Sequence, residues 1–359
     1  MAKKDPLTLR NNYLNGYSYM ALRLIYLLLF LPVLINCQHE KKIESSTLLI
    51  RSIDFGRTWQ DISIGLPSGW EATYIYAGND EIIVGSERDL FRKRLANESG
   101  GWDKEYVIQD HLGGVLPGKK GVYIYDFWTG LLQEGLRGTG IWEPQYKGVS
   151  NGIVRTVLEV SDKQVLIGGD SGIYKSEDGG ASWRPVFDST LITHILIKEG
   201  VLIAGGSSGV LRSLDGGEHW TWVLKDLGPV RKLKIMGDQL AVVMNGVGSW
   251  EEQLKVSSGS ANSLLFSDDL GGSWRSMEGG LLADRLLYDP EKEVKAKFIH
   301  DIIQTEQYLW CSHDTGISRS ADGGKTWELI LPIEYGQLYG FAYHNNVIYV
   351  TKVGVLGGC

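Results

Sequence analysis

The chain has 359 residues, and because all-β folds of this length form single domains, length alone predicts no domain boundary. Its 12 Trp, 46 Gly and 9 Pro residues are typical of many short strands joined by tight turns, rather than of helices or disorder. The formal net charge is −7, and the 32 basic and 42 acidic residues after position 36 give −10, which excludes the electrostatic footprint of a general nucleic-acid-binding protein.

The N-terminus carries a short apolar run at residues 24–35, preceded by Arg23 and followed by the polar residues 38–42. The run is too short to span a bilayer comfortably. It therefore predicts a signal peptide over residues 1–36, with Met20 as the true start because that start places Arg23 directly before the run.

The end of this segment, Leu34-Ile35-Asn36-Cys37, resembles a bacterial lipobox, although Asn36 stands where a smaller residue is usual. The resemblance implies lipidation of Cys37, a short tether over residues 37–46, and a protein of the cell envelope. Gln38 follows the cysteine where an aspartate could stand, and this resembles lipoproteins that are sorted to the outer membrane. The sequence does not decide which face of that membrane the protein occupies. The alternative is an ordinary secretory signal with a chance cysteine.

The three cysteines, Cys37, Cys311 and Cys359, are too far apart for the spacing that zinc ligands use. We therefore predict no metal and no other cofactor. Cys311 and Cys359 could pair as a disulfide, but Cys311 reads more simply as a buried strand residue.

One motif, Ser-x-Asp-x-Gly-x-Ser/Thr-Trp, occurs five times, with His219 replacing the hydroxyl residue in one copy. The aspartate can accept backbone N–H groups within a hairpin turn, and the glycine supplies a positive φ. The tryptophan then begins the next strand and packs between sheets. The motif resembles the Asp box, or bacterial neuraminidase repeat, and its structural aspartates are Asp54, Asp178, Asp215, Asp269 and Asp322.

Two degenerate copies, ending at Trp102 and Trp142, fill the long gap between the first and second motifs. Seven tryptophans then recur at the spacing of one four-stranded blade, which predicts an all-β, seven-bladed β-propeller over residues 47–359. The first motif has no strand pair before it, and the last pair has no motif after it. Residues 47–64 are therefore expected to complete a blade begun by the C-terminal strands, which closes the ring without an exposed edge. Residues 113–119 are interpreted as a turn.

In a propeller, the starts of the first strands surround one mouth of the central channel, where ligand groups converge. Aligning these starts gives a polar ring that favours a ligand with anionic character. The alternative is ordinary channel lining paired with Asp301, Asp110 and Glu71. The predicted ring consists of Thr73, Arg155, His194, Arg231, His300 and Tyr339.

Two insertions, 245–262 with Trp250 and 276–297, fall on the same face as the ring and are expected to carry recognition.

Sialidases resemble the chain only through the Asp box, since the Arg-Ile-Pro motif is missing. Xyloglucan-type endoglucanases resemble it in blade number, and this resemblance implies a glycoside hydrolase with Asp110 and Asp301 as its best-placed carboxylates.

The nearest resemblance is to single-propeller lipoproteins of the photosystem II stability/assembly-factor type, through blade number, motif and lipid anchor. It implies a non-catalytic, membrane-anchored platform that recognises a protein or glycan partner over the channel. We expect a monomer that meets the membrane only through its lipid, with glycoside hydrolysis as the alternative function.

Overall fold

The computed structural model describes residues 49–78, 80–96, 100–107, 111–136, 140–146, 153–245, 262–277, 281, 299–313, 316–332 and 338–353. The predicted signal peptide, Cys37 and the predicted tether lie outside these residues. No helix in the described part is long and apolar enough to cross a membrane.

The described residues form seven four-stranded antiparallel sheets, each ordered from a first strand at the channel to a fourth strand at the rim. The first three blades are β3 Tyr74–Gly78, β4 Glu81–Gly85, β5 Leu90–Arg94 and β6 Asp103–Glu105; β7 Leu112–Pro117, β8 Gly121–Asp126, β9 Leu132–Leu136 and β10 Trp142–Pro144; and β11 Val154–Glu159, β12 Val165–Gly169, β13 Gly172–Ser176 and β14 Arg184–Phe187.

Blades 4 to 6 are β15 Ile192–Lys198, β16 Val201–Gly206, β17 Gly209–Ser213 and β18 Thr221–Lys225; β19 Val230–Met236, β20 Gln239–Asn245, β21 Asn262–Ser267 and β22 Arg275–Ser276; and β23 Ile299–Gln304, β24 Leu309–His313, β25 Gly316–Ser320 and β26 Glu328–Pro332. The seventh combines β27 Leu338–His344 and β28 Val347–Val353 with β1 Leu49–Ser52 and β2 Gln60–Asp61.

The seventh blade joins the two ends of the propeller. Strand β1 pairs antiparallel with β28, with Ile50 opposite Val350, and the sheet order is β2-β1-β28-β27. The predicted seven-bladed fold and the predicted closure of its last blade are therefore confirmed. The place of the third strand is filled by β1, and the tail from Gly354 lies outside the described residues.

The Ser-x-Asp turns hold their hairpins through local hydrogen bonds. Ser176 Oγ donates to Asp178 Oδ1 at 2.7 Å and accepts the Gly180 N–H at 2.7 Å. Asp178 also accepts the N–H of Ser182 at 2.8 Å and its hydroxyl at 2.5 Å. These bonds, led by the Ser182 hydroxyl, lower the pKa of Asp178 to about 2. Gly180 has a φ of +91°, which a residue with a Cβ rarely adopts.

The turn with His219 keeps this arrangement by a different route. The His219 N–H donates to Asp215 Oδ1 at 3.0 Å, and the ring Nδ1 lies 2.7 Å from Asp215 Oδ2, where a hydroxyl lies in the other turns. The imidazole therefore replaces the missing hydroxyl, and its bonds lower the pKa of Asp215.

The motif tryptophans pack between neighbouring blades. Trp102, from blade 1, belongs to a cluster with Leu49 and Tyr349 of blade 7. Trp142, from blade 2, packs against Ile83 of blade 1 and donates through Nε1 to Glu105 at 3.0 Å. The tryptophans of the two degenerate motifs therefore also pack at interfaces between blades.

Blade 2 differs from the sequence interpretation. Residues 113–117 belong to strand β7, and only the following residues form the turn that was expected there. The Tyr125 ring covers both glycines: a Cβ on Gly113 would lie 2.2 Å from that ring, which leaves no room for a side chain, and a Cβ on Gly114 would lie 3.1 Å from it.

Candidate functional site

Five of the seven first strands share a register irregularity at the channel mouth. In β19, for example, Val230 pairs with Met244 and Lys232 with Val243, which leaves Arg231 as the extra residue of a β-bulge. The extra residues in the five strands are Gly113, Arg155, Thr193, Arg231 and His300.

Because of these bulges, the six residues of the predicted ring do not occupy equivalent positions in their strands. Arg155, Arg231 and His300 occupy equivalent positions, whereas His194 lies one residue further along, in the position of Lys232 and Asp301. Two further members occupy other environments. Thr73 precedes β3 and donates its N–H to Gly85 O at 2.6 Å, and Tyr339 is buried within the regular ladder of β27. Trp250 and Asp110 lie outside the described residues.

Arg155 ties together two loops at the mouth. Its guanidinium forms a forked ion pair with Asp170, at 2.7 Å and 3.2 Å, and its carbon lies 4.3 Å from the centre of the Phe127 ring. It also donates to the Phe127 carbonyl. Arg155 is therefore part of the wall of the mouth, bridging blades 2 and 3.

Arg231 and His300 come from neighbouring blades, and Arg231 Nη1 lies 3.1 Å from His300 Nδ1. A guanidinium can only donate, so His300 Nδ1 must accept and the ring proton must reside on Nε2. Burial, together with the nearby charge of Lys232, lowers the pKa of His300 to about 3. The ring is thus neutral near pH 7, with one N–H left to donate.

Asp301 is a buried carboxylate that joins three blades. It accepts the Lys234 ammonium from blade 5, the Ile302 N–H at 2.8 Å from its own blade, and the Phe341 N–H at 3.0 Å from blade 7. It is only 2% exposed. Burial opposes its charge, but Lys234 and Lys232 outweigh that effect and hold its pKa at about 2.

Lys232, like Lys234, is a channel residue that the sequence analysis missed. It makes no hydrogen bond or ion pair within the described residues, and burial is the main cause that lowers its pKa. Burial lowers the pKa of His194 to about 3, and the charge of the nearby Lys232 adds to that effect. The described channel wall between blades 4 and 6 thus carries three cations, Arg231, Lys232 and Lys234, against the carboxylate of Asp301.

An aromatic patch on the same face also escaped sequence reasoning. Trp128, in the loop after β8, is 60% exposed and packs edge-on against Phe127 and His111. Asp126 fixes the loop by accepting the Trp128 N–H at 3.0 Å and the Thr129 N–H at 2.7 Å. The signal that could have found it is a tryptophan outside the repeat pattern.

The opposite mouth of the channel forms an open cavity of about 290 Å³. Residues at the ends of four first strands line this cavity, and most of them are apolar. They include Ile75, Lys234, Ile235, Ile303 and Phe341.

Comparison with known proteins gives matches by structure. No family model and no curated protein matches the chain by sequence. A YCF48 structure bound to a D1 peptide has a TM-score of 0.51 and 15% identity, covering 78% of this chain and 93% of that one. YCF48 from Cyanidioschyzon merolae has a TM-score of 0.54 and 13% identity, covering 80% and 97%.

A glycoside hydrolase, the GH74 enzyme of Niastella koreensis, has a TM-score of 0.53 and 12% identity. The match covers 79% of this chain but only 51% of the enzyme, so the chain spans about half of that protein. At these identities the likeness concerns the fold. The chain is a seven-bladed β-propeller similar in structure to YCF48 and to GH74 propellers.

Proposed function

We propose that this protein is a non-catalytic binding platform of the cell envelope, anchored in the outer membrane through a lipid on Cys37. It takes a protein or glycan partner of anionic character over the channel. The observation that carries the proposal is the cationic wall of Arg231, Lys232 and Lys234, because convergent N–H donors in a partly desolvated channel bind negative charge strongly.

The chemistry of Asp301 supports a binding role over hydrolysis. Glycoside hydrolysis needs a carboxylic acid that can protonate the leaving group next to a second carboxylate. Asp301 is 2% exposed, and its pKa of about 2 keeps it ionised at neutral pH. It therefore cannot act as that acid, and its contacts make it a structural residue.

The structural neighbours support the same class of function. A YCF48 propeller has been solved with a D1 peptide bound, so one protein of this fold holds a peptide segment. The GH74 neighbour is the reason to test hydrolysis directly. If the purified protein releases reducing sugar from xyloglucan or from a bacterial glycan panel, the non-catalytic proposal is wrong.

Binding can be tested with defined polymers: poly-L-glutamate and polygalacturonate as anionic probes, with poly-L-lysine and dextran as controls. We expect the wild type to bind only the anionic pair, and Arg231→Gln to weaken that binding by about tenfold or more. The matched control is Arg275→Gln, since Arg275 lies on the rim strand β22 and pairs with Asp268 at 2.9 Å. Equal binding by both variants would exclude the channel as the site.

The anchor has its own test. Growth of the native host with an alkyne-tagged fatty acid should label the wild type, and Cys37→Ala should abolish the label. A labelled Cys37→Ala protein would contradict lipidation at that position.

A further inference from the structure

Among the described residues, the channel wall around β19 carries more cationic than anionic side chains. Arg231, Lys232 and Lys234 lie within four successive positions of β19, on the strand closest to the channel axis. Among the described residues around them, the carboxylate is Asp301, and its oxygens are occupied by Lys234 and two backbone N–H groups. Lys232 makes no ion pair with any described residue.

The donors beside Lys232 are held in fixed directions. Arg231 donates to His300 Nδ1, which leaves the proton of His300 on Nε2, and that N–H makes no hydrogen bond to the described residues. The charge of Asp301 reaches Lys232, but the same carboxylate is already bound by Lys234 and two backbone N–H groups, so one negative charge serves two lysines. A small anion within the channel would compensate Lys232 and accept the His300 Nε2–H at the same time.

We propose that the channel holds one small inorganic oxyanion of the size of sulfate or phosphate, bound by the Lys232 ammonium and the His300 Nε2–H beside the Arg231 guanidinium. The inference deepens the proposed function, because the same groups would receive the anionic group of a partner. A free oxyanion and a carboxylate on a partner present the same chemistry, and the experiments separate the two sources.

The test uses the full propeller, dialysed into a buffer without sulfate or phosphate and titrated with sodium sulfate at constant ionic strength. We expect saturable binding of one sulfate per chain, with a rise in unfolding temperature that follows occupancy. Lys232→Met should weaken sulfate binding by about tenfold or more, the effect of losing a charge-assisted hydrogen bond. Lys232→Arg, which keeps the charge and confirms folding, should retain it.

The matched control is Lys225→Met, because Lys225 is an exposed lysine on the rim strand β18. Crystals soaked in selenate, an anomalous scatterer, should show one peak within hydrogen-bond distance of Lys232 Nζ and His300 Nε2. If sulfate stabilises the wild type, Lys232→Met and Lys225→Met equally, or if selenate lies elsewhere, the result is an adventitious ion only and the inference is wrong.

The outcomes also separate this inference from the proposed function. Sulfate binding that depends on Lys232, without binding of poly-L-glutamate, supports the anion site and overturns the anionic-partner proposal. Polymer binding that depends on Arg231, without saturable sulfate binding, overturns the anion site alone. Sulfate that competes with poly-L-glutamate in the wild type shows that both use the same donors.

Discussion

The replacement Asp301→Asn tests whether a single buried carboxylate holds three blades together. The substitution keeps the shape but removes the negative charge opposite Lys234, and its amide group must share space with the N–H groups of Ile302 and Phe341. Breaking a buried ion pair from one side costs about 3–5 kcal/mol, since the remaining charge loses its partner. We therefore expect a large loss of stability.

This loss of unfolding free energy corresponds to a measurable fall in the midpoint of thermal unfolding. At about 2.1 cal/mol/K per residue, the propeller over residues 47–359 unfolds with an entropy near 0.65 kcal/mol/K, so the midpoint should fall by about 5–8 °C. The assay is thermal unfolding followed by circular dichroism.

The control is Asp162→Asn, because the Asp162 side chain is 99% exposed and its pair with Lys119 lies in water. Adding Lys234→Met to Asp301→Asn should recover part of the loss, since the unpaired ammonium is then gone. A difference of about 1 °C corresponds to the free energy of one weak surface ion pair. If the melting temperatures of Asp301→Asn and Asp162→Asn differ by no more than that, the structural role of Asp301 is refuted.

Three further predictions concern the histidines, the closure and the aromatic patch. His194 and His300 have pKa values of about 3 when folded, against 6.5 for the ordinary side chain, so the unfolded chain binds more protons below pH 6.5 and stability should fall on acidification from pH 7.5 to 5. The double variant with both replaced by Gln should show a shallower fall in melting temperature, and an unchanged slope would contradict this. Val350→Pro, in the middle of β28, should cost about 3 kcal/mol or more in urea unfolding, and a wild-type midpoint would argue against the closing strand pair. Trp128→Ala should change stability by about 0.5 kcal/mol or less while lowering the fraction of tryptophan fluorescence that iodide quenches. An unchanged fraction would show that Trp128 is not exposed.

The parts of the fold that sequence predicts are those fixed by local contacts. Ser176, Asp178 and Ser182 bond to one another within six residues, so the turn can be identified from its letters alone. The closure was also predictable, because a motif without a strand pair at one end and a strand pair without a motif at the other can only complete each other. Both inferences need no knowledge of side-chain packing.

The parts that sequence misses depend on contacts between strands. Gly113 resembles a turn residue, but the Tyr125 ring of the next strand leaves no room for a side chain there. The bulges have a similar effect, because an extra residue shifts the register by one. Alignment by residue type places His194 with Arg231, whereas pairing places it with Lys232, and so the most informative lysine of the channel was overlooked.

The charge distribution of the chain determines which part of an anionic partner could reach the proposed channel site. The chain after position 36 carries −10, so its surface repels an anionic partner at distances up to the Debye length of about 8 Å at physiological salt. Attraction begins only where the channel wall excludes water, since Coulomb energies rise as the effective dielectric falls. An anionic polymer lying on the outer surface gains nothing, whereas a group that enters the mouth meets Lys232 and Arg231 at close range. If the channel binds an anionic partner as proposed, selection would act on the shape of that partner, because only a protruding anionic group could reach Lys232 and Arg231.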